Sequence, residues 1–552
     1  MSKVEIYDTT LRDGSQGEGI SFSREDKLKI LKCLDGFRVD YIEGGWPGSN
    51  PKDIEFFRAA KDVPLEHAKL AAFGSTCRPG KAPEDDKNLQ ALLEVGTGVV
   101  TIFGKSWKLH VTEVFRTTLE ENLRMIEESV KFLRSQGKEV IYDAEHFFDG
   151  YRDDPSYALE TLAAASNGGA RVLVLCDTNG GTLPAVVGKA VTEVKARFPR
   201  QNVGIHTHND SGVATANSLE AVERGAMHVQ GTFNGLGERC GNADLSNIIP
   251  NLLLKMDREL SIGRQDLVHL THIARYVCAI ANRAFPENLP YVGQMAFAHK
   301  GGVHVNSVMK LAATYEHIEP DVVGNSRRVL ISELSGKANV QHLADAEGIR
   351  LEEDPQAAQR AVEEIKQLEN YGYVFEGAEA SSTLIILKHM GRLPELFDLV
   401  RYRVAVEHRA TGGAFSEATV KIRVRGEEHL AVGEGVGPVD ALDSALRSAI
   451  RQFYPELDCI VLNDYRVRII NAAAGAHAKV CVFIDSFDKA EDVSWGTVGA
   501  GENIIEASWS ALKDSIIYGL LQRQRPEFWH ENVRQAAKSK RVAGETAASP
   551  RT

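Results

Sequence analysis

A chain of 552 residues exceeds what one hydrophobic core supports, so two or three domains are expected. Its 43% hydrophobic and 25% charged residues are those of an ordinary globular protein, and a formal net charge of -12 leaves no basic face for nucleic acid or an anionic membrane. No apolar run approaches the roughly 20 residues of a membrane span, no apolar targeting segment precedes the first apolar run, and the seven cysteines are scattered without a C-x-x-C pair, so a cytoplasmic protein acting on small molecules is expected.

Eight short apolar runs follow one another at 4–7, 39–42, 70–73, 99–103, 140–142, 172–175, 203–205 and 228–233, and nearly all end in a charged or hydrogen-bonding cluster. Most are separated by room for one helix, as at 24–34, 119–134 and 214–224, with apolar residues three to four apart. Strand and helix alternating in this way predict an α/β fold, a (β/α)8 TIM barrel whose site gathers at the carboxyl ends of the strands. Beyond it, 267–284 is predicted as a long helix, 287–328 is a less regular stretch containing glycine and histidine, and 340–347 and 355–369 form a small helical region. Segments at 401–406, 418–424, 461–470 and 478–484 then alternate as strands do. Val432-Gly433-x-Gly435 followed by Ala441, Ala445-Leu446 and Ile450 parallels Val498-Gly499-x-Gly501 followed by Ala507, Ala511-Leu512 and Ile516. Each unit reads as three strands, a glycine turn and an amphipathic helix. The expected organisation is a catalytic barrel over 1–275, a linker subdomain contributing to the site over 276–395, an α+β regulatory domain with an internal repeat over 396–525, and a flexible tail over 526–552.

His206 and His208 lie two apart on a predicted strand, which aims both imidazoles at one face, where they suit a divalent metal. Asp13, just past the first strand, supplies an oxygen ligand because all strands end on the same face. Such a mixed donor set with open positions serves a Lewis acid, and it does not distinguish zinc, manganese, cobalt and magnesium. Arg12 can stabilise negative charge on a substrate oxygen, or pair with Glu43 or Glu145. Thr178 offers a hydroxyl to a substrate carboxylate, or a helix cap. Glu145 is a candidate general base or orienter. Glycines in the stretch 235–242 allow close backbone approach, with Asn242 or Glu238 near the metal. His304 and Tyr315 can handle protons or activate water if their segment covers the barrel mouth.

Taken together, D-T-T-L-R-D-G-S-Q (8–16), H-T-H-N-D (206–210) and G-L-G-E-R-C-G-N (235–242) resemble the alpha-isopropylmalate synthase and homocitrate synthase family. G-G-V-H-V-N (301–306) and T-Y-E (314–316) extend the likeness, and the C-terminal repeat resembles that family's allosteric domain. The resemblance implies a metal-dependent Claisen condensation of acetyl-CoA with a 2-oxo acid, followed by thioester hydrolysis. It matches Asp13, His206 and His208 to metal ligands, Asn242 to a further ligand in some members, and Arg12 and Thr178 to residues holding the 2-oxo acid. It matches Glu145 to an acidic residue implicated in catalysis, and His304 and Tyr315 to catalytic groups from the segment over the site. Cys240 departs from the threonine or alanine of many members. G-G-W-P-G-S-N-P-K-D (44–53) departs from the G-F-P pattern of the isopropylmalate synthases and resembles the pyruvate-using branch. A homodimer regulated by isoleucine or leucine, acting in isoleucine biosynthesis, is then expected. The alternatives are a sibling synthase using a larger 2-oxo acid, a hydroxymethylglutaryl thioester lyase on a similar barrel, and a metabolite sensor without catalysis.

Overall fold

Strands β1 (Glu5–Asp8), β2 (Tyr41–Gly45), β3 (Lys69–Ser75), β4 (Val99–Lys105), β5 (Glu139–Glu145), β6 (Val172–Asp177), β7 (Asn202–Thr207) and β8 (His228–Gly231) pair in chain order and close into a parallel barrel. β8 returns to β1 with Glu5 opposite His228 and Asp8 opposite Gly231. This is a computed structural model describing residues 3–330, 337–346, 349, 355–408, 414–470 and 478–524; the tail expected to be mobile lies outside the described residues. The strand centres are mostly apolar because both faces are covered: every residue of Val-Leu-Val-Leu-Cys-Asp in β6 is buried. Their inner side chains, among them Tyr7, Tyr41, Val99, Ile141 and Val174, fill the barrel, and a larger cluster lies between strands and helices. The helices begin where the sequence provides caps. Ser23 and Asp26 form a capping box at the start of Arg24–Gly36, and Thr118 accepts the Glu121 N–H at the start of Leu119–Ser135.

The long helix expected at 267–284 is divided into a 3-10 turn, Arg264–His269, and a helix, Leu270–Ile280. It stops early because Asn282 adopts a left-handed backbone, φ 52°.

The chain forms two compact units, Met1–Phe297 with Ile318–Ser326, and Ala298–His317 with Arg327–Thr552. The second contains the short parallel pair β9 (Ala298–His299) and β10 (Arg328–Val329), and helices Gly302–Lys310, Lys337–Ala346, Pro355–Tyr371 and Glu379–His389. The repeat follows twice. β11 (Asp398–His408), β12 (Ala414–Val424) and β13 (Glu427–Gly435) form an antiparallel sheet followed by helix Pro438–Ile450. β14 (Ile460–Ile469), β15 (Val480–Asp488) and β16 (Val493–Gly501) form another, followed by Ile504–Gln524. The repeated glycines are not turn residues as expected, since Gly433 lies within β13 and Gly499 within β16. A Cβ at Gly433 would stand 2.2 Å from the Ala445 nitrogen and one at Gly499 2.1 Å from the Ala507 carbonyl oxygen, so glycine lets each helix close onto its sheet. Among the described residues no helix is long and apolar enough to cross a membrane.

Candidate active site

His206 is the last residue but one of β7, and His208 follows the strand, where it bridges to Asn242 by backbone pairing. Their Nε2 atoms lie 3.3 Å apart. Asp13, in the turn after β1, brings Oδ2 to 3.4 Å from His206 Nε2 and 3.9 Å from His208 Nε2. All three side chains are buried. His206 Nδ1–H donates to Gln230 Oε1 at 2.9 Å, and Gln230 Nε2 donates to Asp143 Oδ1 at 3.0 Å, which turns His206 Nε2 toward Asp13. Burial pushes the Asp13 carboxyl up, but Arg12 and the two histidines outweigh it and hold it well below the usual range. Burial lowers His206 too, yet Asp13 overrides this and the imidazole is raised. Burial and then the neighbouring His206 push His208 down to about 4, leaving it neutral with a lone pair to give. Asn242 Nδ2 donates to the Leu236 carbonyl at 3.0 Å, whereas its buried Oδ1 has no partner. One carboxylate and two imidazoles with ligand atoms all within 4.8 Å fit a divalent cation.

Arg12 is fixed on several sides. Its Nε donates to Glu43 Oε1 at 2.5 Å, its Nη1 to Gln16 Oε1 at 3.4 Å, and its guanidinium lies 3.9 Å from the Phe73 ring centroid. Glu43, fully buried in the middle of β2, also accepts the Tyr7 hydroxyl at 2.6 Å. Of the two pairings weighed for Arg12, the structure forms the one with Glu43. Glu145 is instead ion-paired to Lys105, which stands opposite it in the β4–β5 register.

Arg12, Asp13, Glu145, Thr178, His206 and His208 line one cleft of about 210 Å³, together with Trp46, Phe73, Phe103, Asp143 and Cys176. Burial, and then Glu43, pushes the Asp143 carboxyl up to about 7. Thr178 Oγ1 accepts the His146 N–H at 2.9 Å, with His146 in the left-handed region at φ 54°. Asn242 is not among the residues lining the cleft. His304 and Tyr315 belong to the second unit, where their rings stack at 4.2 Å between centroids. Sequence reasoning missed Gln230, Lys105, Gln16 and the aromatic wall. Gln230 carries a signal, a lone amide in a fully buried strand end; Lys105 carries one only once β4 and β5 are placed in register.

Residues 3–277 match the HMGL-like family, 291–372 the homocitrate synthase post-HMGL domain-like family, and 376–520 the LeuA allosteric (dimerisation) domain. Fold and cleft thus define a class, an HMGL-like barrel with an Asp-His-His donor cluster carried in one chain with a LeuA-type domain. The (R)-citramalate synthase of Aquifex aeolicus is 53% identical over 521 residues, covering 94% of this chain and 98% of that protein. That of Synechocystis is 51% identical over 528 residues, 93% and 96% of the two chains. A probable 2-isopropylmalate synthase of Methanopyrus kandleri is more distant, 33% identical over 513 residues, 92% and 97% of the two chains. The chain belongs to the (R)-citramalate synthase family.

Proposed function

We propose that the chain condenses acetyl-CoA with pyruvate and hydrolyses the resulting thioester, releasing CoA and (R)-citramalate. The observation that carries this is the Asp13, His206 and His208 cluster beside Arg12 in one cleft. Likeness to (R)-citramalate synthases over more than nine-tenths of the chain supports pyruvate as the acceptor.

Held by Asp13, His206 and His208, with Asn242 Oδ1 as a further donor, a divalent cation such as zinc, manganese, cobalt or magnesium would polarise a bound 2-oxo acid. Arg12, kept cationic and oriented by Glu43, donates to the keto oxygen as negative charge develops there. Because Thr178 Oγ1 already accepts a backbone N–H, its own hydrogen is left to donate to the acceptor's carboxylate. Glu145, ion-paired to Lys105, is a candidate for the base that takes a proton from the acetyl methyl; the carbanion then attacks the keto carbon, and water cleaves the thioester. Hydrolysis drives the sequence forward, which suits control by an end product. The second unit is read as dimerising the chain and sensing a branched-chain amino acid, isoleucine or leucine, in cytoplasmic isoleucine biosynthesis.

Free CoA release measured with pyruvate, 2-oxoisovalerate and 2-oxoglutarate tests the acceptor. The highest kcat/KM is expected with pyruvate, with citramalate as product; preference for a larger acid would overturn the choice.

A further inference from the structure

The indole of Trp46 stands in the cleft across two stacked phenyl rings, at 85° and 5.6 Å from Phe73 and at 84° and 5.5 Å from Phe103, which themselves lie 5.5 Å and 21° apart. It is held from outside. Asn88, which does not line the cleft, accepts the indole N–H at 2.7 Å through Oδ1 and donates to the Ser75 carbonyl at 2.8 Å through Nδ2, so its amide cannot turn without losing both bonds. The Trp46 N–H donates to Asp53 Oδ2 at 2.9 Å, and its carbonyl accepts the N–H groups of Ser49 and Asn50 at 3.1 and 3.0 Å. Asp53 is in turn the buried partner of Lys27 at 2.6 Å. Gly45, at φ 153°, lets the chain pass this carboxylate, where a Cβ would stand 2.4 Å from the Asp53 carboxyl carbon. With its backbone groups and its N–H all engaged, Trp46 is a rigid wall.

That wall faces a cleft with little other apolar surface. Apart from Trp46, Phe73, Phe103 and Cys176, every lining side chain is polar or charged. An acceptor's alkyl group placed elsewhere would desolvate a charged group without pairing it, which is costly. Phe73 lies under the Arg12 guanidinium and Phe103 under Lys105, 5.2 Å from its ring centroid, so truncating either phenylalanine also removes part of a cation's support. Trp46 carries no such charge.

We infer that Trp46 is the specificity-determining residue that confines the acceptor 2-oxo acid to a single-carbon side chain, and that Asn88 is its positioning residue. This deepens the proposed condensation and rests on it. Opening the wall by an indole admits one or two further methyl groups, each of which a hydrophobic pocket discriminates by about tenfold or more.

The test compares kcat/KM for CoA release with pyruvate, 2-oxobutanoate and 2-oxoisovalerate in the unmodified protein and in W46A, W46F, N88L and N88D. W46A is expected to shift the ratio toward the larger acids by about tenfold or more, and W46F by less in the same direction. N88L, which removes the acceptor, should shift it severalfold, while N88D, which keeps an acceptor for the indole, stays nearer the unmodified ratio. A purely structural role would lower turnover of all three acids together and leave the ratio unmoved. If W46A does not fold, W46F and N88L carry the same reading. Ratios within twofold of the unmodified protein in the folded variants would overturn the inference while leaving the pyruvate reading intact. Absence of pyruvate turnover in the unmodified protein would overturn the reading itself, and this inference with it.

Discussion

Arg12 is fixed before substrate arrives: Glu43 takes its Nε and Phe73 supports its plane at 3.9 Å, a preorganisation that suits the role proposed for it at a developing oxyanion. A lysine has no fork to share between Glu43 and the substrate. Arg12→Lys is therefore expected to lower kcat/KM for CoA release by about 10² to 10³-fold, the cost of losing one preorganised donor. Activity within a factor of ten of the unmodified protein would contradict that role. The His-x-His pair and Asp13 were legible in the sequence because period-two geometry and the shared end of barrel strands fix their direction. Their supports were not. Gln230 reaches His206 from a neighbouring strand and Lys105 reaches Glu145 across the β4–β5 ladder, and neither pairing leaves a local pattern in the chain.

The barrel strands were readable because a parallel strand covered on both faces favours a short, mostly apolar run, and eight such runs recur at helix-length spacing, broken by single residues such as Glu5, Thr101 and Gln230. β13 and β16 were harder to see, because glycines chosen for helix approach dilute their alternation. Helix Ile504–Gln524 also holds a half-buried acid, Asp514, whose Oδ2 accepts the Ser381 hydroxyl at 2.9 Å from helix Glu379–His389. Burial pushes the Asp514 carboxyl up to about 6, and the Ser381 bond offsets only part of this. A folded-state value above the unfolded one means the native state binds the proton more tightly. The contribution to stability is thus full below about pH 4 and is lost as pH rises through about 6. Asp514→Asn removes that decline, so thermal melting should favour the variant at pH 7.5 by up to about 3 kcal/mol relative to its standing at pH 4. Melting curves that stay parallel from pH 4 to 7.5 would show that Asp514 is not held protonated.

At the scale of the whole molecule, the proposed chemistry and the proposed control fall to different parts of the chain, the barrel strands and the doubled sheet-and-helix module. The division into barrel and repeat was visible in the sequence because apolar runs separated by helix-length spacers give way to alternation, and because one motif occurs twice. How Ala298–His317 joins the second unit was not, since that stretch has no steady periodicity. Truncation after about residue 395 is expected to abolish inhibition by branched-chain amino acids; inhibition surviving in the truncated protein would refute the regulatory assignment. The most direct measurement of the catalytic account is turnover after metal removal. Protein stripped by a chelator, with its metal content confirmed by elemental analysis, should lose CoA release and regain it when manganese, zinc, cobalt or magnesium is returned. Undiminished turnover by metal-free protein would contradict the account.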